Sequence, residues 1–537
     1  MKKILSLMLV AGMAMTAMAV PAKRGGIIRT AADGTEQMVY LHGDETFHYI
    51  TDAEGNWLDE STLQPMPAEQ KAARAKAEGA RAKVRRAKAQ TQAGSTRNLA
   101  PRGLIILVSF SDKAFATPYE TIQDMINGDN FTRNYSYDYT YYGQTYHVSV
   151  QSSGSAKQYF HDQSWGQYNP QFDIVGPVTV SNKVSYYGKN DSNGDDQNVD
   201  AMIREAVKAV DNEVDFAIYD NDNDGKVDFV YFIYAGYGEA DGGAATTIWP
   251  HNYSYQYYVQ YGAEQLTVDG KKIDNYACSN EIQYYGNVYN GIGTFCHEFS
   301  HVLGLPDLYA TNNATHHTLL DWDILDAGPY NNDGNTPPAY SAYERFFMGW
   351  LTPRVLTDPE NTTLRPLNDS HEALLMCSGD QHNLDGLDPN PKTFYLIENR
   401  PQTGWDKYLP GKGMLLTKIT YNQSKWDGNT VNNTASSMGV DMIEAKSNTT
   451  SGNNAEAKST DAFPAGAKQY VGFADHEITN IALTNNVITF LYRGGWPEGV
   501  EEVEATKEAA HKIIRDGKIY IIRGDKMFDL TGRVVNE

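Results

Sequence analysis

The sequence predicts an α+β chain, with a layered core of strands and helices followed by a β-rich region. Three observations carry that expectation. Leu104-Ile105-Ile106-Leu107-Val108-Ser109-Phe110 is a continuous apolar run, the mark of a strand buried on both faces. Asp228-Phe229-Val230-Tyr231-Phe232-Ile233-Tyr234 is a second such run, and between the two Val199–Val210 has helical periodicity, with Met202, Ala206, Val207 and Val210 on one face. Beyond Pro353 the pattern turns to short strands separated by Asn, Gly, Asp and Pro, to about residue 493.

From the N-terminus, MKKILSLMLVAGMAMTAMAV places two lysines before an apolar run that ends in Ala17-Met18-Ala19. This reads as a secretory signal peptide over residues 1–19, with cleavage after Ala19. The run is shorter than the ~20 residues a bilayer core requires, and no later segment approaches transmembrane length. Residues 20–65 alternate in short segments such as Met38-Val39-Tyr40-Leu41 and Phe47-His48-Tyr49-Ile50, a small β unit. Residues 66–92 are rich in Ala, Lys, Arg, Gln and Glu, a solvated helical linker with basic cleavage points. Residues 71–97 hold nine of the 45 Lys/Arg but one of the 67 acidic residues, so a boundary falls there. A β unit and a cleavable linker behind an export signal read as a pro-segment over 20–98. The core then covers 99–355 and the β-rich domain 356–493. Residues 494–537 form a charged linker and a strand-like tail around Lys518-Ile519-Tyr520-Ile521-Ile522.

A net charge of −22 argues against nucleic acid as a partner, because its phosphates would be repelled. Abundant glycine and 36 tyrosines suit an exported, strand-rich protein. Three cysteines, Cys278, Cys296 and Cys377, allow at most one disulfide.

The chemistry concentrates in Gly293-Thr294-Phe295-Cys296-His297-Glu298-Phe299-Ser300-His301-Val302-Leu303-Gly304-Leu305-Pro306-Asp307. His297 and His301 are four apart, so on a helix both imidazoles project from one face and can grip one Zn²⁺. Glu298 follows the first ligand, within reach of a metal-activated water. Gly304 lets the chain leave the helix abruptly and Pro306 stops it resuming. Asp307 is thereby returned toward the metal as third ligand, with Glu344 as the alternative. An open zinc site activates water and polarises a carbonyl, Glu298 passes the proton to the leaving amine, and a nearby donor steadies the oxyanion. Peptide-bond hydrolysis uses these parts together.

The stretch His297–Tyr309 (HEFSHVLGLPDLY) resembles the immune inhibitor A family of secreted zinc metalloproteases. The resemblance extends to Tyr234–Glu239, Ile248–His251, Trp322–Tyr330 and Ala342–Arg345, and beyond them to Tyr395–Arg400, Leu409–Gly413 and Asp461–Pro464. It implies a zincin-type catalytic domain, a twisted sheet above an active-site helix, with a pro-segment before it and a β-rich domain after it. The wider metzincin group places a methionine beneath the metal, where this sequence has Leu325. Tyr330 is the candidate oxyanion tyrosine, or a packing tyrosine.

Two further segments raise expectations. Asp220, Asp222, Asp224 and Asp228, with Gly225, match the first half of an EF-hand-like Ca²⁺ loop, although Tyr231 stands where such a loop ends in glutamate. Met527–Val535 resembles the end of C-terminal sorting tails that carry proteins across the outer membrane of some Gram-negative bacteria, or forms a terminal β-hairpin. The sequence therefore predicts a secreted zinc endopeptidase made as a proenzyme, with protein or peptide substrates and outer-membrane secretion machinery as partners. Its rivals are a secreted adhesin or glycan-binding protein on the same scaffold, and a zinc hydrolase of non-peptide amides. The pro-segment has no cysteine to offer the metal, so latency falls to occupation of the cleft, sterically or through Asp44 or Glu45.

Overall fold

The computed structural model describes residues 19–31, 33–45, 47–72, 74, 100–141, 144–191, 196–451 and 455–495, with 511–515, 518–523, 526–529 and 533–535 of the tail. The expected signal peptide up to residue 18, the linker over 75–99 and residues 496–510 lie outside the described residues.

The N-terminal unit is an antiparallel sheet of β1 (Gly26–Thr30), β2 (Glu36–Asp44), β3 (Phe47–Thr51) and β4 (Trp57–Leu58). Ile27, Val39, Leu41, Ile50 and Leu58 share a core with Ala240 and Trp249 of the following region, so the unit is docked through apolar surface.

The central sheet contains the two apolar runs. β5 (Arg102–Ser109) precedes a tyrosine-rich hairpin, β6 (Thr132–Tyr141) and β7 (Gln144–Ser153), and then β8 (Gln171–Thr179). Helix α1 (Val199–Val210), β9 (Lys226–Val227), β10 (Val230–Tyr234) and β11 (His251–Ser254) follow. After β12 (Thr267–Val268) and β13 (Lys271–Ile273) come β14 (Asn275–Asn280) and helix α2 (Gly293–Val302). The sheet order is β11-β14-β10-β5-β8, with β14, β10, β5 and β8 parallel and β11 antiparallel at the edge. Period-two alternation sorts its side chains. Leu104, Ile106, Val230 and Phe232 pack with α1, whereas Ile105, Leu107, Tyr231 and Ile233 pack with α2.

Helix α3 (Ala342–Phe347) leads into the β-rich part: β15 (Arg354–Val355), β16 (Glu360–Leu364), β17 (Leu374–Cys377), β18 (Thr393–Arg400), β19 (Gly413–Thr420), β20 (Val440–Met442), β21 (Ile478–Thr484) and β22 (Val487–Tyr492). They form a five-stranded sheet, β15-β17-β18-β19-β20, over a three-stranded one, β16-β22-β21. Leu374, Met376, Ile397 and Leu416 face the smaller sheet, while Leu375, Cys377, Leu396 and Leu415 join the core that contains α2. Residues on both sides of position 355/356 thus share one core. The three cysteines are buried and unpaired.

The docked unit is pinned by a buried pair. His48 stacks on Trp249 at 4.6 Å, and its Nε2 lies 3.2 Å from Glu239 Oε1, with the Asn190 amide 3.0 Å from both. Burial alone would lower the imidazole's pKa, but Glu239, helped by Glu60 and opposed by Arg74, raises it from 6.5 to about 9. A raised value stabilises docking fully below about pH 6.5 and loses that contribution as pH climbs through about 9. Limited proteolysis of residues 20–70 is expected to accelerate across that window, and a His48→Gln chain to show a flat, uniformly faster profile.

Candidate active site

Helix α2 divides its residues between two tasks. Phe295 and Phe299 lie one turn apart on the face packed under the sheet, where Phe299 meets Phe160, Phe172 and Phe229 at 4.8, 5.2 and 5.0 Å. Each such edge-to-face contact contributes about 0.5–1.5 kcal/mol beyond its buried area. His297 and His301, also one turn apart, converge in the cleft with Nε2 atoms 3.0 Å from each other. Gly293 opens the helix because a Cβ there would stand 1.9 Å from the Pro329 carbonyl oxygen. Gly304 closes it at φ +92°, a left-handed conformation that glycine adopts without steric cost. The chain then turns through Pro306 and brings Asp307 Oδ1 to 3.3 Å from the Nε2 of each histidine.

The proton positions follow from the partners. His297 Nδ1 faces the Ile324 carbonyl at 2.7 Å and His301 Nδ1 the Leu305 carbonyl at 2.8 Å. A carbonyl only accepts, so each Nδ1 carries the hydrogen and each Nε2 is left as a bare acceptor. Burial pushes the His297 imidazole below its ordinary pKa, outweighing the pull of Asp307. Asp307 Oδ1 has no hydrogen-bond donor. Three buried acceptors therefore meet with no proton between them, a donor set that fits a metal cation of the zinc type.

Asp307 is held from a distance of 122 residues: its N–H donates to Asn429 Oδ1 at 2.8 Å, and Asn429 Nδ2 donates to Asp307 Oδ2 at 2.6 Å. Glu344, the alternative ligand, is instead buried in the capping box of α3, where it accepts the Ser341 N–H. Leu325 is fully buried in the core beneath, and its carbonyl accepts the Leu308 N–H at 2.8 Å.

Glu298 is covered by the chain's own N-terminal segment. Its Oε1 accepts the Val20 N–H at 2.8 Å, and its Oε2 has no partner among the described residues. Burial drives its pKa upward, against the opposing Val20 hydrogen bond. The segment's carbonyls are taken in turn: Ala19 by the Tyr309 hydroxyl at 2.7 Å, Val20 by Trp249 Nε1 at 3.2 Å, and Pro21 by the Tyr330 hydroxyl at 2.7 Å. Its Ala22 and Lys23 N–H groups donate to Gly43 and Ala240 carbonyls at 2.8 and 2.7 Å. A peptide backbone thus lies across the acidic side chain beside the metal ligands.

Residues 87–351 match the family model described as Immune inhibitor A peptidase M6, catalytic domain. That stretch is similar to the catalytic domain of the immune inhibitor A peptidases. It is 26% identical over 227 residues to immune inhibitor A of Bacillus thuringiensis subsp. alesti, covering 36% of this chain and 31% of that protein. It is 26% identical over 327 residues to the pre-pro-metalloprotease PrtV of Vibrio cholerae serotype O1, covering 54% of this chain and 32% of that one. The matches span about a third of the length of these curated relatives. The family is one of metallopeptidases, in agreement with the donor set.

The other candidate residues fall as follows. Asp220, Asp222 and Asp224 come together, with carboxylate oxygens within 4.8 Å. Lys271 Nζ sits 2.6 Å from Asp220 Oδ2, supplying positive charge there, and Asp228 turns to Asn221, accepting its N–H at 2.6 Å and its amide at 2.7 Å. Tyr330 contacts the bound backbone two residues from the amide over Glu298, while Tyr309 holds the carbonyl of that amide itself. The sequence gave no hint of Asn429, which lies in no motif. Tyr309 and Trp249 stood inside matching segments, but their roles became visible only with the backbone they grip.

Removing a ligand separates these assignments. His297→Ala is expected to leave no tightly bound zinc by elemental analysis, and Asp307→Ala to weaken zinc strongly. Asn429→Ala is expected to weaken it about 10–100-fold through misorientation of Asp307. Glu344→Ala should lower the melting temperature with zinc retained.

Proposed function

We propose that the protein is a secreted zinc-dependent endopeptidase made as a proenzyme, with a zincin-type catalytic domain and a β-rich domain behind it. The observation that carries this reading is the seated peptide, whose Val20 N–H meets Glu298 while the Ala19 carbonyl of the same amide meets Tyr309. Those are the two groups of an amide that hydrolysis must address.

His297, His301 and Asp307 are the residues to hold the zinc, and Asn429 orients the third. Bound there, the ion supplies Lewis-acid polarisation of the scissile carbonyl and of the attacking water. Glu298 takes the water's proton and returns it to the leaving nitrogen, toward which Oε1 already points. The Tyr309 hydroxyl donates to the carbonyl oxygen as it gains charge, and Tyr330 fixes the backbone two residues on. Trp249 and Tyr330 hold main-chain carbonyls, so substrates are positioned by backbone as well as side chain.

Latency follows from the same contacts. The segment from Val20 to Lys23 fills the cleft with main chain, and its docked unit holds it there. Once a signal peptide is removed after Ala19, Val20 begins the chain and presents its amino group to Glu298. The acidic loop at Asp220–Asp224 stays the candidate calcium site, and the C-terminal tail the candidate address for outer-membrane secretion machinery. Among the described residues no helix is long and apolar enough to cross a membrane.

The activated, zinc-loaded chain is expected to digest casein, to lose that activity to a chelator, and to lose about 10²–10⁴-fold with Glu298→Ala. Hydrolysis of small amides without casein cleavage would favour an amidohydrolase, and no hydrolysis at all a binding protein. The chain beginning at Val20 is expected to be nearly inactive until limited trypsin treatment cuts between residues 71 and 102, raising activity severalfold. Full activity before the cut would make the N-terminal region an accessory domain.

A further inference from the structure

Beyond the amide over Glu298, the seated segment puts one side chain into a recess of the cleft. Lys23 lines this recess with Asp241, Asn280, Gln283 and Tyr330, and reaches the carboxylate of Asp333 beside it. Its Nζ lies 3.6 Å from Asp333 Oδ1, and the lysine side chain is only 19% exposed. We propose that this recess is a specificity subsite of the peptidase, built to take the basic side chain of a lysine or arginine in the peptide substrate. The proposal rests on the peptidase reading above.

Three features make the recess a built site. Among the described residues, buried Asp241 meets only the Asn280 amide at 3.5 Å and the Tyr284 N–H at 3.4 Å, both through Oδ2, and its Oδ1 has no hydrogen-bond partner. A carboxylate left unsatisfied in the interior is costly unless a cationic ligand arrives to pair with it. Burial pushes its pKa up to about 6 even with the Lys23 charge opposing the rise. Asp333 is held in place for the purpose. Its Oδ2 accepts the hydroxyls of Tyr135 and Tyr137 at 3.0 and 3.2 Å, which leaves Oδ1 toward the recess. Asn332 and Asp333 also adopt φ of 50° and 55°, a left-handed pair that non-glycine residues keep only where the surroundings enforce it. The Gln283 and Asn335 amides do so by donating to the Asp333 carbonyl at 3.1 and 2.7 Å.

The neighbouring residue repeats the theme, since Arg24 donates to Asp326 Oδ1 at 3.2 Å. Lys23 stands three residues from Val20, so the subsite lies about 10 Å along an extended peptide from the bond beside Glu298. Shape and charge together select a long cationic stem. An acidic side chain would meet two carboxylates, and a short neutral one would leave Asp241 unpaired.

The test profiles cleavage sites in casein and in a peptide library, using the zinc-loaded, trypsin-activated chain. A basic preference is expected at one position within four residues of the cleaved bond. Replacing that lysine by norleucine is expected to lower kcat/KM about tenfold, and by glutamate further. In Asp241→Asn and Asp333→Asn, the lysine-to-norleucine ratio is expected to fall toward one, a ratio that general loss of folding would not change. Asparagine tolerates the left-handed backbone at 333, and wild-type profiling needs no variant at all. As a readout independent of turnover, the metal-stripped, trypsin-activated chain freed of its N-terminal unit is expected to bind the peptide Val-Pro-Ala-Lys-Arg-Gly at least tenfold tighter than its lysine-to-glutamate analogue by calorimetry, and equal binding overturns the subsite. Casein cleavage without any basic preference, or a preference that survives both substitutions, overturns the subsite and leaves the peptidase standing. Absence of all cleavage overturns the peptidase reading, and the subsite with it.

Discussion

Two backbone carbonyls decide the chemistry of this cleft. Ile324 and Leu305 each take the Nδ1 hydrogen of one histidine, which turns both Nε2 atoms into acceptors aimed at the same point as Asp307. Without those carbonyls the imidazoles could share a proton and the cluster would be an ordinary buried hydrogen-bond network. With them, it is electrostatically incomplete. Ile324 belongs to the segment after α2, Leu305 to the turn that Gly304 makes possible, and Asn429 to the β-rich part. The candidate metal centre is therefore a product of the whole core and not of the helix alone.

The sequence carried the centre of the site in full and its periphery hardly at all. Spacing of four placed His297 and His301 on one helix face because helical geometry is local. Gly304 and Pro306 announced the turn that returns Asp307 because both restrict backbone dihedrals locally. The apolar runs around Leu104 and Val230 were legible because parallel strands buried on both faces cannot tolerate polar residues. Asn429 was not legible, because a hydrogen bond across 122 residues leaves no periodic trace. Nor was the β6–β7 hairpin, whose tyrosines alternate with Ser, Asp, Thr and Asn and gave neither a buried-strand nor a loop signal. Its function is visible only where Tyr135 and Tyr137 reach Asp333. The expected strand at 228–234 begins at Val230, because Asp228 spends its carboxylate on Asn221.

The N-terminal segment covers Glu298 with main chain. Its hold divides into two kinds of contact. The bonds from Tyr309, Trp249 and Tyr330 address backbone carbonyls, so they would form with almost any peptide. The contacts of Lys23 and Arg24 address side chains and so fix which peptide sits there. An inhibitor made only of the first kind would compete poorly with substrate, and one made only of the second would leave Glu298 uncovered.

Strength must also be limited, because the segment has to leave. Tethering resolves the conflict. While the linker is intact, the segment competes at an effective concentration on the order of millimolar, so contacts that are individually weak suffice to keep the cleft filled. The exchange of water for protein partners leaves each hydrogen bond a net contribution of only about 0.5–1.5 kcal/mol, and the partly exposed Lys23 and Arg24 pairs contribute little more. In the proposed proenzyme, the same contacts would have to hold after the cut at the protein's own concentration, far below millimolar, and dilution would favour release. The buried His48–Glu239 pair and the apolar core with Trp249 then set how readily the unit departs, since they are the contacts that do not depend on the cleft. A basic linker on a chain of net charge −22 suits this arrangement. In the proenzyme reading, an activator selective for lysine or arginine would meet its target bonds in one short stretch of sequence, residues 71–97.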